Sequence, residues 1–518
     1  MTKIEVLMKK TILCLLPLLG SLLPSSLFGE TNIGAGHEYD NIRLSGPVRH
    51  AEKSLPASLR LLPNQTIRTY NAEMFGLAYD FAEQDKTGMA AAVDGAPFPR
   101  ILPDFQNVMR GVPLPFNRIW FRKDNWKYSV GPLNQRVKHK RAPWYPEMIQ
   151  ITGPLELIRS ILAVDPKAKF DIMVSVGDEE CVRQAREIAE FLTGDASTEW
   201  GAKRIRWGLP SPVPVALWEL GNETDWSAGK LTLRQYIDSC RSIIKAIRSV
   251  VPDAKIAPHA ATAPWHETQS AHWKQWHRGL LKELAEEIDC FAFHPYYHGY
   301  PISYIENYLN VIRDDIASSS NPGIRIFISE HGLWPGGEPG RWENSWYKTH
   351  ALQGCLAVSE WFNRMLSRPE ISCMTMHACS SGPWGMVYPD PYNGKVYATA
   401  LAELFKLYGM VPFGGKVIAH ELRGVGTALD GQLSLSASAV ESHGKYYLFL
   451  TNRLPETKRE IKLDLAGKRI RKIHTLTADS IQEVNTAVDK PILIRSREKN
   501  ADDRITLPPG SITLLIAE

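Results

Sequence analysis

The chain lacks most of the features that settle a class at a glance. Its seven cysteines include no CxxC pair, and no HExxH run occurs, so neither a cysteine-held zinc site nor a zincin-type metal centre is signalled. Charge of one sign is missing too: 60 Lys and Arg against 56 Asp and Glu leave +4, which gives no electrostatic reason to expect nucleic acid or a polyanionic surface as a partner. Internal repeats and low-complexity blocks are absent, which excludes solenoids and disordered tails. The one long apolar run, Thr11 to Leu23, is short and Pro-marked for a membrane span. It follows Lys9 and Lys10 and precedes the small residues Ser25, Ser26 and Gly29, so residues 1–29 read as a cleaved export signal. A secreted or periplasmic protein without membrane contact after cleavage is the expectation; an uncleaved anchor is the alternative. Cys14 belongs to that leader. The other six, Cys181, Cys240, Cys290, Cys355, Cys373 and Cys379, are scattered and read as buried free thiols, with a bridge involving Cys373 and Cys379 left open.

What the chain does have is length and alternation. Its 518 residues exceed one ordinary domain, and a (β/α)8 barrel of about 250 to 350 residues with a smaller module accounts for them. Short apolar runs alternate with amphipathic stretches between residues 71 and 408, the pattern of parallel strands covered by crossover helices. Eight strands are expected: Met74 to Tyr79, Asn117 to Phe121, Phe170 to Val176, Val213 to Leu220, Lys255 to His259, Cys290 to His294, Arg325 to Ser329 and Ser372 to His377. From residue 409 to 518 the period shortens to two without helices, which predicts an antiparallel β-sandwich, and residues 30–70 carry a run, Ser54 to Thr69, able to lend it a strand. The basic run from Arg136 to Arg141 reads as a solvated loop.

Two carboxylates stand out. Glu223 closes the run Val213 to Glu223, and Glu330 follows the apolar run Ile324 to Ser329. A carboxylate at the end of an apolar strand sits at the barrel's carboxyl-terminal rim, where chemistry in such barrels is carried out. Cleaving a glycosidic bond requires a proton for the leaving oxygen and a negative charge near the anomeric carbon, which two carboxyl groups of opposed pKa supply. Asn222, beside Glu223, offers an amide to a sugar hydroxyl. Glu219, on the other parity of the same strand, reads as a structural partner inside the barrel. His259, His298 and Asp225 lie near predicted rims and are weaker candidates.

These residues resemble the retaining (β/α)8 glycosidases of clan A, and most closely glycoside hydrolase family 51, the α-L-arabinofuranosidases. The resemblance rests on Trp218-Glu-Leu-Gly-Asn-Glu223, on Asn125 to Arg136 with its Gly-Pro and final Arg, on Val174-Ser-Val-Gly177, and on Tyr446 to Arg453 and Leu507 to Ile512 near the carboxyl end. It implies Glu223 as acid/base, Glu330 as nucleophile, Asn222 on the hydroxyl next to the anomeric carbon, and Arg118 beneath the nucleophile. His294 and Tyr296 match a sixth-strand position whose side chains bond the nucleophile. A core histidine at 294 and a structural ion pair at Arg118 are the plainer alternatives. By position alone, Trp334 and Trp384 either stack on a sugar or pack under a loop. The chain departs from the family after the second strand, where Arg118-Ile-Trp-Phe-Arg-Lys-Asp124 replaces Arg-Phe-Pro-Gly-Gly. The implied activity is exo-acting removal of arabinofuranose from plant or algal polysaccharides or oligosaccharides, without metal or cofactor. A β-xylosidase, an endo-β-glucanase, or a silent carbohydrate-binding protein on the same scaffold are the rivals. Family members are often oligomeric, so the resemblance also implies a homo-oligomer.

Overall fold

The computed structural model describes residues 56–79, 88–121, 126–138, 147–225, 230–262, 270–297, 302–334, 347–380, 384–390, 395–426, 428, 432–501 and 503–518. The expected export signal, His298 and most of the loop after the second barrel strand lie outside them. Among the described residues no helix is long and apolar enough to cross a membrane.

Eight parallel strands form the barrel: Gly76–Tyr79, Phe116–Phe121, Lys169–Val174, Val215–Leu220, Ile256–Pro258, Cys290–Phe293, Arg325–Leu333 and Ile371–His377. The eighth pairs with the first, and a parallel bridge from His259 to Ala292 joins the fifth to the sixth, closing the ring. Alternation along each strand divides its residues. Phe121, Ile172, Val174, Trp218 and Leu220 face the helical shell. Inside, Phe116, Leu217, Ala257, Cys290, Ala292, Phe327 and Cys373 form a separate apolar plug. One layer higher the interior turns polar, with Arg118, Asp171 and Glu219 all fully buried. Gly76 is required where the first strand passes between its neighbours, since a Cβ there would lie 2.6 Å from both the Met374 and Phe116 carbonyl oxygens. The six cysteines are free and buried, and none forms the bridge left open between Cys373 and Cys379.

The sandwich is a nine-stranded sheet. Its order is Leu493–Ala501, Ile470–Thr477, Ser511–Ala517, Lys445–Asn452, Leu435–Ser442, Lys416–Arg423, Ala57–Thr69, Arg459–Asp464 and Arg504–Leu507. Every neighbouring pair is antiparallel except Ala57–Arg60 with Ile461–Asp464. Residues from both flanks, among them Leu59, Leu448, Ile461, Ile473, Leu507 and Leu515, share one core, so the sheet folds over on itself. Its central strands turn their other face to the barrel: Phe449 stacks on Tyr408 with ring centroids 4.0 Å apart. The helix Leu352–Leu366 is tied to the sandwich by polar contacts, with Asn363 donating to Ser436 and Thr451 at 3.1 Å.

One surface expectation is overturned. Arg136 is not solvated; its guanidinium is buried and donates to the Gly131, Gln150 and Ile151 carbonyls and to Glu156 Oε1 at 2.6 Å. Carbonyls of this irregular segment have no ladder partners, and a buried fork of donors satisfies them. Val137, next in sequence, is exposed as expected.

Candidate active site

Local backbone geometry aims both carboxylates. The fourth strand ends at Leu220, and Gly221 turns it with φ of +82°. A Cβ there would meet Thr224 Cγ2 at 2.8 Å and Val176 Cγ2 at 2.9 Å, so only glycine fits both the dihedral and the space. Glu223 itself holds φ of +50°, an uncommon value for a residue with a side chain, which marks a functional constraint. In the seventh strand, alternation would send Glu330 outward with Ile326 and Ile328. A register irregularity between Ile328 and His331 turns Glu330 into the mouth instead, while His331 remains outside against Trp361.

Arg118 ties the polar layer together. Its Nε–H donates to Glu219 Oε2 at 2.5 Å, one Nη to Glu330 Oε1 at 2.7 Å and the other to Asn222 Oδ1 at 2.7 Å. The indole of Trp120 lies over the guanidinium, 5.3 Å from its carbon to the ring centroid. Tyr296 donates its hydroxyl to Glu330 Oε2 at 2.7 Å. His294 Nδ1 lies 2.9 Å from Glu223 Oε1 and 3.6 Å from Glu330 Oε2. The nearer acidic partner of His294 is therefore Glu223, whereas Tyr296 bonds Glu330 as the resemblance implied. Oxygens of Glu223 and Glu330 and a ring nitrogen of His294 all lie within 4.8 Å of one another.

The two carboxylates live in different surroundings. Burial alone would push the Glu330 carboxyl up, but the charges of His294, His377 and Arg118 and the Tyr296 hydroxyl outweigh it and hold it well below the usual carboxylate range. Glu219 is likewise driven down to about 2, against its burial, chiefly by Arg118. Asp171 goes the other way, raised by burial and by the adjacent Glu219 charge. For His294, burial opposes the charge, yet the carboxylates of Glu330, Glu219 and Glu223 raise it to about 9. Glu223 keeps its side chain 27% exposed, open to the mouth, where Glu330 is 6% exposed.

Above Glu330 stands an aromatic wall. Trp334 and Trp384 lie 5.7 and 5.2 Å from the Tyr296 ring and 5.6 Å from each other. Trp384 is anchored by its indole N–H donating to the Leu333 carbonyl at 2.7 Å. Both tryptophans thus border Tyr296, whose hydroxyl donates to Glu330. Asp225 is not part of the centre: it accepts from the Thr262 hydroxyl at 2.8 Å and from the Thr262 backbone at 3.0 Å, tying two rim loops together. His259 lies one layer below, edge-on to His294 with ring centroids 4.4 Å apart. Sequence reasoning did not single out Asp171 or His377. The latter ends the eighth strand 3.9 Å from Glu330 Oε2, and its strand-end place was the signal that marked it. Among the described residues, two groups bring metal-capable atoms within 4.8 Å: Glu219, His259 and His294, and Glu223, His294 and Glu330.

Comparison with known proteins finds likeness in part of the sequence and in the fold. The family model described as the alpha-L-arabinofuranosidase 1 domain matches residues 119–292. An intracellular exo-alpha-(1->5)-L-arabinofuranosidase of Bifidobacterium longum is 22% identical over 253 residues, 44% of this chain and 43% of the relative. The alignment thus spans less than half of that relative's length. A probable alpha-L-arabinofuranosidase C of Aspergillus fumigatus is 22% identical over 431 residues, 76% of this chain and 82% of its own. Among solved structures, the GH51 arabinofuranosidase of Xanthomonas axonopodis pv. citri superposes with a TM-score of 0.74 at 17% identity, covering 90% of this chain and all of that one, a likeness of fold. The chain is thus similar to α-L-arabinofuranosidases in part of its barrel sequence, and to glycoside hydrolase family 51 enzymes in its two-domain fold.

Proposed function

We propose that this protein is a retaining glycoside hydrolase that removes α-L-arabinofuranosyl residues by double displacement. The supporting observation is the spacing of the two carboxylates: oxygens of Glu223 and Glu330 within 4.8 Å suit a retaining pair, at about 5–5.5 Å between carboxyl groups, and leave no room for the water of an inverting pair at about 6.5–9.5 Å. Glu330, kept ionised, attacks the anomeric carbon while Glu223 protonates the leaving oxygen. Glu223 then takes a proton from water as the water displaces Glu330 from the sugar. Asn222, its oxygen held by Arg118, has its amide N–H groups left for the hydroxyl next to the reacting carbon. Trp334, Trp384 and Tyr296 offer apolar faces to the sugar ring.

The arabinofuranose preference rests on what the relatives are named for. Exo action on plant or algal polysaccharides and export through residues 1–29 complete the proposal. Trp120, 5.3 Å from the Arg118 guanidinium, favours one second reading, another clan A specificity such as a β-xylosidase, because it lies in the segment where the chain departs from the family pattern. A panel of aryl glycosides, with the product anomer followed by proton NMR, tests both. The expected result is fastest turnover of the α-L-arabinofuranoside with retained configuration, abolished by Glu330→Gln. Glu223→Ala should keep more activity on an activated leaving group than on a sugar one. Inverted product, or no turnover of any glycoside, would overturn the assignment.

A further inference from the structure

Directly beneath the carboxylate pair, three buried atoms converge without hydrogen-bond partners among the described residues: Glu219 Oε1, His259 Nε2 and His294 Nε2. All three side chains are essentially inaccessible, and their ligand atoms lie within 4.8 Å of one another. Leaving one buried polar atom unsatisfied is already costly, and three facing each other call for an occupant. Each side chain is fixed from its far end. His259 Nδ1 contacts the Ala260 carbonyl, which sets the tautomer with Nδ1–H donating and leaves Nε2 as a bare lone pair. His294 Nδ1 is engaged at 2.9 Å by Glu223 Oε1, so an ion at Nε2 would take the place of the proton that this imidazole turns toward Glu219. Glu219 gives Oε2 to Arg118 and has Oε1 to spare, 3.8 Å from His294 Nε2. Histidines whose second nitrogen is held by a carbonyl or a carboxylate are the usual form of a metal-ligating imidazole.

We propose that Glu219, His259 and His294 form a site for one divalent transition-metal ion of the zinc type. Two imidazoles and one carboxylate match the ligand preference of such ions, and Glu330 and Glu219 supply negative charge beyond what Arg118 neutralises. Closing ligand atoms from at most 4.8 Å to the edge of a tetrahedral shell, about 3.3 Å, asks for shifts of up to about 1 Å in each side chain. An ion there would fix His294 through its Nε2 and so constrain the imidazole that contacts Glu223 Oε1 at 2.9 Å and lies 3.6 Å from Glu330 Oε2. Bound metal is therefore inhibitory, a consequence that rests on the glycosidase reading, whereas binding itself does not.

The test titrates zinc sulfate calorimetrically into the full chain after EDTA treatment, alongside His259→Gln, a residue with no place in the reaction. The expected result is one ion per chain in the wild type, loss of aryl-glycoside turnover that EDTA restores, and at least a 100-fold weaker affinity in H259Q with turnover kept and no longer zinc-sensitive. No uptake, or equal uptake by H259Q, would overturn the site. Should H259Q fail to fold, zinc-edge absorption of the wild type decides: nitrogen and oxygen neighbours at about 2.0–2.2 Å support the site, and sulfur at about 2.3 Å refutes it. A metal-free wild type that hydrolyses no glycoside would sink the functional reading and leave the calorimetry and absorption to judge the site.

Discussion

Replacing His294 by Gln should remove a pH dependence of stability that the geometry makes large. The imidazole is fully buried among Glu223, Glu330, Glu219 and His259, and the three carboxylates raise it to about 9 against burial. In the unfolded chain a histidine titrates near about 6.5. A folded value above the unfolded one stabilises the native state fully below about pH 6.5, and that contribution is lost as pH rises through about 9. At about 1.4 kcal/mol per pKa unit, the two values bracket a contribution of up to about 3 kcal/mol, released at no more than about 1.4 kcal/mol per pH unit. Urea unfolding of wild type and H294Q with EDTA present, at intervals from pH 6 to 10, isolates this group because other titrations cancel in the difference. The gap between the two proteins should narrow by about 2–3 kcal/mol across that window. A gap that stays constant with pH would refute the protonated, carboxylate-bound imidazole, whatever its size.

Tyr296→Phe deletes only the oxygen that donates to Glu330 Oε2 at 2.7 Å and keeps the ring against Trp334 and Trp384. A hydrogen bond to a charged acceptor is worth about 1.5–3 kcal/mol, so kcat/KM on an aryl glycoside should fall about 10- to 100-fold with the fold intact by circular dichroism. Gly221→Ala puts a Cβ into Thr224 and Val176 at φ of +82°, and should cost about 1–3 kcal/mol in urea unfolding while depressing turnover more than it weakens inhibitor binding. Glu156→Ala strands the buried Arg136 guanidinium and should lower the unfolding free energy by about 3–5 kcal/mol; a near-neutral result would mean that the four-acceptor cradle does not need its carboxylate.

The barrel was legible because its strands are short apolar runs bounded by helices, and all eight runs named from the sequence are strands here. The helices Pro154–Val164 and Glu199–Arg206 were not, since Pro at the start of one and the brevity of the other hide the period. In the sandwich, Lys416–Arg423 and Leu493–Ala501 escaped notice: one is half-buried along its length, and the other carries Arg495, Arg497, Glu498 and Lys499 where alternation would show apolar residues. Glu223 and Glu330 were readable as strand-end carboxylates, and Glu219 as an interior partner. The inward turn of Glu330 was not, because a register irregularity cannot be counted from a period of two. Nor was Asp171, whose meaning depends on Arg118 standing opposite it in the ladder. His294 was expected on Glu330 and lies between the two carboxylates, nearer to Glu223 at 2.9 Å than to Glu330 at 3.6 Å, a distinction that sequence spacing does not record.

The sandwich strand Ala57–Thr69 precedes the barrel in the chain, yet its ladder partners, Lys416–Arg423 and Arg459–Asp464, follow it. During synthesis that strand emerges first and waits through the whole translation of the catalytic module with its amide edges bare. Assembly order follows: the barrel can close on its own local contacts, whereas the smaller module waits until Lys416–Arg423 and Arg459–Asp464 have left the ribosome. A polypeptide cut short after the barrel would expose an unpaired apolar ribbon and invite association with its neighbours.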